Sequence, residues 1–535
     1  MPYLGKLSIL VSLFMKIKLL FLPFLFLLIS CTQPRNSPSE FERLSLEDIT
    51  VSELQDRYES GDLSTRQVVQ AYLNRIEEID RNGPALNSVL TVNPNALEIA
   101  DQLDQERQDG NVRGVLHGVP ILLKDNIDTA DIPTTAGSIF LEGSIPPDDA
   151  FIVSKLREAG AVILGKTNLS EWANFHSSFS SSGWSALGGQ VHNPYDITRN
   201  PCGSSAGSGV AASANLATLT IGTETNGSIV CPSNANGVVG MKPTVGLWSR
   251  GGIIPISYTT DSAGPMTRTV RDAAILLGAL AGADDADPLS VEAAEHVEQD
   301  YTQYLNADGL AGKRIGFYTG PMGNHFRVDT LMHETIRTLE QLGATVIEID
   351  EITKENIGGD AFQVLLHEFK DGIDEYLESL NNDAIIGSME EMAEQIRNSP
   401  TATELFDRSL ILSAAETEGT DSEEYQNARE QMLRVSREEG IDRVMDENNL
   451  DALVSPTGSP AWKTDLILGD NFQLASSSPS ARAGYPIISL PMGSIDGMPV
   501  GVSFFGRAWS EPVLLEIAYA FEQNTDHRMV PQFLD

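Results

Sequence analysis

Three stretches of the sequence combine serine, lysine and glycine in ways that suit chemistry at a carbonyl group. They are GVPILLKDNI at 118–127, NPCGSSAGSG at 200–209 and GTETNGSIVCPS at 222–233. A serine hydroxyl attacks a carbonyl once a nearby base takes its proton. A lysine amine can be that base when burial keeps it neutral, and a glycine-bearing turn can direct backbone N–H groups at a developing oxyanion.

The middle stretch contains GSSAG at 203–207, which fits the G-x-S-x-G pattern of a nucleophile elbow with Ser205 as the attacking residue. An elbow enzyme also needs an acid and then a histidine further along the chain. The histidines downstream of Ser205 are His296, His325, His333, His367 and His527. This acidic chain therefore meets the requirement trivially, but the sequence shows no HGGG-type oxyanion motif. An α/β-hydrolase-like esterase using Ser205 stays open at this point.

The two flanking stretches offer a base and a second nucleophile. Lys124 ends the apolar run Val119–Leu123, so burial would lower its pKa and make it a general base. Ser228 ends a turn that follows the strand-like run Leu216–Ile221, where backbone N–H groups can converge. Considered alone, each feature has an ordinary alternative. Lys124 could be a lysine that reaches solvent, and the stretch with Ser228 could be a plain Gly/Ser turn.

Strand-like runs alternate with helical patterns through most of the chain, which predicts an α/β protein with a large, mostly buried sheet. Helices are expected after Ser64-Thr65, over Pro94–Gln108, and at Asp272–Ala281 and Val328–Leu342. The predicted strands are Val119–Leu123, Ala161–Leu164, Leu216–Ile221, Arg314–Tyr318, Thr345–Ile349, Ala452–Ser455, Pro486–Leu490 and Val500–Phe505.

Residues 351–450 differ from the remainder because they are acidic, helical in pattern and poor in strand-like runs. They are either a helical insertion that shapes a substrate entrance or a solvated helical layer. The sequence has no internal repeat and no long linker after residue 45. We therefore expect residues 46–535 to form one large domain.

The chain is strongly acidic, with 75 Asp and Glu against 36 Lys and Arg and a formal charge of −39. Such a surface repels phosphate backbones, so nucleic acid is not expected as a partner. The composition is otherwise that of an ordinary globular protein and leaves the oligomeric state open.

The N-terminus has the pattern of a secretory signal over residues 1–30, with Met15 as an alternative start. Lys16 and Lys18 precede an apolar run, and Leu28-Ile29-Ser30-Cys31 resembles the lipobox of bacterial lipoproteins. The resemblance implies that Cys31 becomes a lipidated N-terminus, followed by a polar tether over residues 31–45.

This pattern predicts a lipid-anchored protein of the cell envelope, facing the periplasm or held at the outer membrane, with the membrane as a partner through the lipid. The alternative is a single transmembrane anchor ending near Cys31. That alternative is disfavoured because the apolar run is short and Pro23 interrupts it.

Two further cysteines, Cys202 and Cys231, lie within the middle and third stretches. Two cysteines do not make a disulfide framework, so small buried thiols are expected. A disulfide between them stays an open alternative, because both cysteines lie in the stretches that contain the candidate catalytic serines.

Taken together, the three stretches resemble the amidase signature family, and the resemblance extends over most of the chain after residue 46. Ser204 and Ser228 lie 24 residues apart, the spacing of that family's pattern. Further segments similar to the family are MKPTVGLWSRGGIIPIS, DSAGPMTRTVRDAA and GYPIISLPMG. The implied fold is α/β, a large mixed central β-sheet covered on both faces by α-helices, with a helical insertion at 351–450.

The resemblance also implies an amidase with a Ser-cisSer-Lys triad, in which Ser228 attacks, Ser204 relays the proton after a cis peptide bond, and Lys124 is the base. Gly203 and Ser205 would support the triad, with Ser205 as a hydrogen-bonding hydroxyl. The implied oxyanion-hole donors are the backbone N–H groups of Thr225, Asn226, Gly227 and Ser228. The reaction would pass through an acyl-enzyme and would need no cofactor and no metal. Peptide C-terminal amides or small amides are the implied substrates.

Three positions depart from the family pattern. Cys202 and Ala206 stand where glycines are common, and Asn226 stands where aspartate or glycine is more usual. These changes bear on loop packing and on the shape of the acyl pocket. Two alternatives accompany the amidase interpretation. One is a partner-dependent subunit of the amidotransferase A type, which the predicted signal opposes. The other is a binding protein without activity, which the intact Lys124, Ser204 and Ser228 oppose.

Overall fold

The computed structural model describes residues 39–380, 386–398 and 405–534. Glu40–Asp535 form one compact unit. The predicted signal, the tether up to residue 38 and Cys31 lie outside the described residues. Within the described ranges, no helix is both long and apolar enough to span a bilayer.

A mixed sheet of eleven strands forms the centre of the described fold, and a separate pair, β4 and β5, forms a short hairpin. The strands are β1 Val89–Val92, β2 Pro120–Lys124, β3 Val162–Thr167, β4 Trp184–Ser185, β5 Gly189–Gln190, β6 Leu219–Glu224, β7 Val239–Lys242, β8 Ser262–Thr267, β9 Arg314–Tyr318, β10 Thr345–Ile349, β11 Ala452–Pro456, β12 Ile487–Ile495 and β13 Met498–Phe505. Their order across the sheet is β1-β3-β2-β6-β8-β7-β12-β13-β11-β9-β10.

Helices surround this sheet. The α-helices are α1 Glu40–Arg43, α2 Val51–Glu59, α3 Thr65–Arg75, α4 Ala96–Gln108, α5 Phe151–Glu158, α6 Ala206–Ser213, α7 Val230–Asn236, α8 Val270–Leu280, α9 Pro288–Glu292, α10 Phe326–Gln341, α11 Gly358–Ser379, α12 Met389–Asn398, α13 Ser409–Ala415, α14 Glu423–Ser436, α15 Asp442–Asn448, α16 Ser478–Ala483 and α17 Glu511–Gln523. Short 3₁₀ and π segments are Ile76–Arg81, Ile139–Leu141, Glu171–Asn174, Ala293–His296, Tyr301–Tyr304 and Arg437–Ile441.

The predicted α/β fold is confirmed, and each of the eight predicted strands overlaps an observed one. Three sheet strands were not predicted, namely β1, β7 and β8. β1 and β7 have four residues each, and β8 contains Gly264 and Pro265, which normally disfavour a strand. The surrounding sheet supplies the partners that override these local preferences.

Helix α3 shows how local sequence sets an element that packs on the sheet. Ser64 is its N-cap, and the Ser64 side chain and Gln67 form a reciprocal capping box. Val68, Val69 and Tyr72 are fully buried at helical spacing, as the pattern predicts. The helix therefore begins where its cap predicts and buries its apolar face in the main core.

The described part of 351–450 contains α11 to α15 and no strand. Its helices form a second apolar cluster with the loop that follows β3. Phe369 of α11 packs edge-to-face on Phe175, with ring centroids 4.9 Å apart, and against Trp172 at 6.3 Å. The helical segment is thus anchored beside the region that carries the candidate site.

Candidate active site

The sheet topology brings the three sequence stretches to one place. β2 is parallel to β6, with Leu123 opposite Ile221, so the carboxyl ends of both strands lie at the same sheet edge. Lys124 is the last residue of β2, and the loop to Ser228 leaves the end of β6. Ser204 lies in the turn just before α6, and Lys124 contacts it directly.

Lys124 is fully buried among polar groups that contain no carboxylate within ion-pair distance in the described residues. Its Nζ lies 2.7 Å from Ser204 Oγ, 2.8 Å from Thr223 Oγ1 and 3.2 Å from the Thr223 carbonyl oxygen. Burial lowers the Lys124 pKa to about 7, despite the opposing charges of Asp261 and Glu224. The lysine is therefore poised to be neutral near physiological pH.

Thr223 and Asn126 complete the surroundings of the amine, and sequence reasoning did not single them out. Asn126 Nδ2 donates to Thr223 Oγ1 at 3.0 Å, so the threonine hydroxyl is held between the amide and Lys124. Both residues lie inside the motifs that contain Lys124 and Ser228. Asn126 lies two residues after Lys124, and Thr223 lies five residues before Ser228. This closeness in sequence was the signal that could have identified them.

Gly203 and Ser204 form a tight turn against the loop after β3. The Gly203–Ser204 peptide bond is cis, as the family resemblance implied. A Cβ added to Gly203 would lie 2.3 Å from Ser170 Oγ, so any larger residue would require the Ser170 side chain to move. Ser170 N donates to the Ser204 carbonyl oxygen at 3.1 Å, and the Ser204 side chain is fully buried.

Ser205, the serine of the G-x-S-x-G pattern, is also fully buried but has a different set of contacts. Its Oγ donates to the Thr223 carbonyl oxygen at 2.9 Å and accepts from Thr223 N at 3.1 Å. Its own backbone N–H donates to the Ser228 carbonyl oxygen at 3.1 Å. These bonds tie the start of α6 to the end of β6 and leave the Ser205 hydroxyl engaged with backbone.

The loop from Thr225 to Ser228 presents unpaired backbone donors. Within the described part of the chain, no acceptor takes a hydrogen bond from the N–H groups of these four residues. The next two N–H groups, those of Ile229 and Val230, donate to Glu224 Oε2 at 2.8 and 3.0 Å. Gly227 has φ +86°, a conformation that glycine adopts readily. The loop therefore has the form of an anion-binding nest.

Ser228 is 9% exposed, while Ser204 is fully buried. Among the described residues, the Ser228 hydroxyl has no hydrogen-bond partner, so Ser204 and Ser228 are not bonded to each other here. Catalytic hydrogen bonds of this kind are often long in ligand-free enzymes and shorten in the substrate complex.

Side chains of the same loop are fixed from outside. Thr225 Oγ1 donates to Asp261 Oδ1 at 2.6 Å. Asn226 Nδ2 donates to Ser478 Oγ at 3.2 Å, and Asn226 Oδ1 accepts from Ser477 Oγ at 2.7 Å. Asn226, which departs from the family pattern, thus bridges the loop to α16. With both side chains directed to neighbours, the backbone N–H groups can stay oriented together.

Two cavities adjoin this loop. One extends over Thr223 and Asn126 towards an apolar wall that includes Ile254, Ile256 and Tyr258. The other lies between the loop and the helical segment, and its lining is Thr225, Asn226, Thr260, Gly358, Ala361, Phe362, Leu365, Met432, Ala481 and Arg482. Helices α11 and α14 therefore form part of the wall next to the candidate oxyanion hole, which favours the substrate-entrance interpretation of 351–450.

The sequence profile described as "Amidase" matches residues 67–515, which is most of the chain. This chain belongs to the amidase family. A probable amidase of Arabidopsis thaliana is 41% identical over 508 residues, covering 92% of each chain. The A subunit of the glutamyl-tRNA(Gln) amidotransferase of Thermoanaerobacter pseudethanolicus is 32% identical, covering 91% of this chain and 99% of that protein.

Solved structures give the same family and fold. A peptide amidase in complex with the competitive inhibitor chymostatin is 47% identical with a TM-score of 0.89, covering 91% of this chain and all of that one. The native peptide amidase of Stenotrophomonas maltophilia is 46% identical with a TM-score of 0.88, covering 92% and 99%. The chain is therefore an amide-hydrolysing enzyme with the amidase signature fold.

The prediction that this amidase holds Cys202 and Cys231 as thiols is wrong, because the two form a disulfide. Both are buried as predicted, at 4% and 8% exposed. The sequence left the bridge open because only the packing of α6 against α7 brings the two loops together. In the described residues, no group of three or more His, Cys, Asp or Glu side chains is arranged to hold a metal.

Proposed function

We propose that this amidase cleaves a carboxylic amide to the acid and ammonia or an amine, with Ser228 as nucleophile, Ser204 as proton relay and Lys124 as general base. The observation that carries the proposal is the buried Lys124 amine 2.7 Å from Ser204 Oγ, with a pKa lowered to about 7. A serine at its free pKa is a weak nucleophile and needs such a base.

The contacts of Lys124 fit a neutral amine. A neutral amine has two N–H donors and one lone pair. The two donors match the carbonyl and hydroxyl oxygens of Thr223, at 3.2 and 2.8 Å. The lone pair is then free to accept the Ser204 hydroxyl proton. Ser204 can in turn accept the proton of Ser228 as Ser228 attacks.

The backbone donors from Thr225 to Ser228 would take up the charge on the substrate oxygen in the tetrahedral intermediate. When that intermediate collapses, the C–N bond breaks and the proton held by Lys124 returns through Ser204 to the departing nitrogen. Water then attacks the Ser228 ester by the same relay and releases the acid. Every step uses residues of this chain.

As substrates we propose peptide C-terminal amides or small amides. Two observations support this class. Peptide amidases are 46–47% identical over nine-tenths of the chain. The cavity beside the oxyanion loop has an apolar side formed by Ala361, Phe362, Leu365 and Met432, which suits an apolar side chain next to the scissile amide.

Two alternative activities remain to be tested against this proposal. An amidotransferase A-type role is favoured by the 32% identity to the A subunit of a glutamyl-tRNA(Gln) amidotransferase, and co-purification of a tRNA-binding partner would support it. An esterase that uses Ser205 is opposed by the contacts of that hydroxyl, which both donates to and accepts from Thr223 backbone.

We also propose that the chain is exported and lipid-anchored through Cys31 in the cell envelope. Support comes from the signal-like residues 1–30 and from the disulfide, since disulfides persist in oxidising compartments. Incorporation of a radiolabelled fatty acid into the wild-type chain, and its loss in Cys31→Ser, would test this. Equal labelling of both would contradict it.

The catalytic proposal is tested by ammonia release from a panel of peptide amides, small aliphatic amides and aryl amides. Ser228→Ala should lower kcat by about 10⁴-fold or more, whereas Ser205→Ala should retain activity within about tenfold. Loss of activity in Ser205→Ala with Ser228→Ala near wild type would favour the elbow enzyme instead.

A further inference from the structure

We propose that the Cys202–Cys231 disulfide is a positioning clamp for Ser204 and Ser228, and that the amidase reaches its full rate only with this bond oxidised. The inference rests on the proposed function, because it assigns those two serines their roles. The chemistry of amide hydrolysis does not itself need a disulfide, so the oxidised bond is an additional requirement.

The bond joins the two segments that carry the proposed relay and nucleophile. Cys202 lies two residues before Ser204, in the turn that leads into α6. Cys231 lies three residues after Ser228, in the first turn of α7. Each half-cystine is therefore connected to its serine by only a few peptide units, so displacement of the sulfur is transmitted to the serine.

Each half of the clamp is also fixed on its own side. Cys202 N donates to Asn200 Oδ1 at 2.8 Å, and Asn200 N donates to the Trp462 carbonyl oxygen at 2.8 Å. Cys231 N donates to the carbonyl oxygen of Gly227 at 2.8 Å, directly beside Ser228. The disulfide thus links the Asn200 turn to the oxyanion loop.

Hydrogen bonds supplement the clamp but do not replace it. Ser205 N donates to the Ser228 carbonyl oxygen at 3.1 Å, and Asn236 Nδ2 donates to the Pro201 carbonyl oxygen at 2.9 Å. These bonds hold backbone near each serine. The Ser204 and Ser228 hydroxyls are not bonded to each other in the described structure, so their separation depends on how the two segments are held.

Because the two sulfurs lie in packed surroundings, reduction of the disulfide should displace the atoms around them. Both half-cystines are buried in an apolar cluster that includes Tyr195, Trp462 and Met498. Reduction by dithiothreitol breaks the S–S bond, leaves two thiols and oxidises dithiothreitol to its cyclic disulfide. Two thiols cannot stay at bonding distance, so at least one sulfur must move within the packed cluster, and we infer that its segment moves with it. A misplacement of about 1 Å at a reacting atom can lower the rate by about 100-fold.

The test compares the oxidised full chain, the same protein after dithiothreitol, and the Cys202→Ala/Cys231→Ala variant. Mass spectrometry of alkylated peptides containing each cysteine verifies the redox state, and circular dichroism gives the folded fraction. Ammonia release from a peptide C-terminal amide gives kcat and KM. A fluorophosphonate probe gives the rate constant for labelling Ser228, expressed per folded molecule.

We expect kcat and the labelling rate constant to fall at least about tenfold in both the reduced protein and the double variant, with KM changed less than about threefold. Dithiothreitol should have no further effect on the double variant. Met498→Ala, which opens the same apolar cluster but leaves the bond, should lower the melting temperature and keep kcat. A double variant that is less stable but has the wild-type rate per folded molecule would overturn the proposal. Failure of the oxidised wild type to release ammonia would instead reject the proposed function.

Discussion

Lys124 and Lys166 are two fully buried lysines on adjacent parallel strands, yet their surroundings differ in one decisive respect. Lys124, at the end of β2, faces hydroxyl and carbonyl oxygens only. Lys166, on β3, has its Nζ 3.5 Å from Asp125 Oδ1 and donates to Thr134 Oγ1 at 2.7 Å. Burial lowers the pKa of both amines, but Asp125 opposes that shift directly at Lys166.

The comparison separates a buried lysine that is available as a base from one that is paired with a carboxylate. An adjacent carboxylate stabilises the ammonium form, so Lys166 belongs to an ion pair. The Lys166 charge also acts on nearby Asp128, and Tyr376 of α11 donates to Asp128 Oδ1 at 3.0 Å, which connects this region to the helical segment. Lys124, with no carboxylate beside it, is free to exchange a proton with Ser204. Lys124 is thus the lysine that we propose as the base, whereas Lys166 joins β3 to Asp125 through a buried ion pair.

The largest expected effect is on turnover by Lys124→Ala. Because this change removes the proposed base, kcat/KM for a peptide amide should fall by about 10³–10⁴-fold while the circular dichroism spectrum stays that of the wild type. Lys166→Met is the matched control, since it removes a buried amine one strand away. Its kcat/KM per folded molecule should stay within about tenfold of wild type, and a loss equal to that of Lys124→Ala would break the distinction.

The second effect is on stability. Here the substitution of Lys166 should have a larger effect than the substitution of Lys124, the reverse of their order for turnover. Lys166→Met leaves Asp125 buried without its cation, so the free energy of unfolding should fall by about 3–5 kcal/mol in urea titrations. Lys166→Met/Asp125→Asn, which removes the carboxylate charge and keeps an oxygen acceptor for Thr135, should recover much of that loss. Lys124→Met leaves no unpaired carboxylate and should cost less than Lys166→Met. A greater loss in Lys124→Met would contradict the assignment.

The third effect is on the pH dependence of kcat/KM. A base must be neutral to accept a proton, and burial lowers the Lys124 pKa to about 7. Activity should therefore rise about tenfold per pH unit below pH 7 and level off above it. Lys166→Met should show the same midpoint, because Lys166 takes no part in the relay. A profile that is flat from pH 5 to pH 8 would exclude a lysine base with this pKa.

The smallest expected effect is that of Thr223→Val. The change removes the hydroxyl that accepts from Lys124 at 2.8 Å while keeping the side-chain volume. We expect kcat to fall about tenfold with KM nearly unchanged, since the amine loses orientation and keeps its contact with Ser204. Thr134→Val, which removes the matching hydroxyl beside Lys166, should leave kcat unchanged.

Much of the site could be predicted from the sequence because its residues lie in short motifs at strand ends. Lys124 follows an apolar run and Ser228 follows a β-strand, and parallel strands put such positions at one edge. Lys166 also follows an apolar run, in VILGKT, but nothing local indicates that Asp125 faces it. Local sequence could place a lysine in the core and could not identify its partner.

The disulfide and three of the strands show the same limit. Cys202 and Cys231 are 29 residues apart and meet only through the packing of α6 and α7. β8 contains Gly264 and Pro265, so its neighbours in the sheet, rather than its own residues, make it a strand. Features that depend on local pattern were predictable, and features that depend on tertiary pairing were not.

The most direct test of the central claim is the site and pH dependence of covalent modification. The wild type, Lys124→Ala and Lys166→Met are incubated with a fluorophosphonate from pH 5 to pH 9, and digested peptides are analysed by mass spectrometry. We expect one adduct, on Ser228. Its rate of formation should rise towards a plateau above pH 7 in wild type and Lys166→Met, and it should be lost in Lys124→Ala. An adduct on Ser205, or labelling of Lys124→Ala at the wild-type rate, would contradict it.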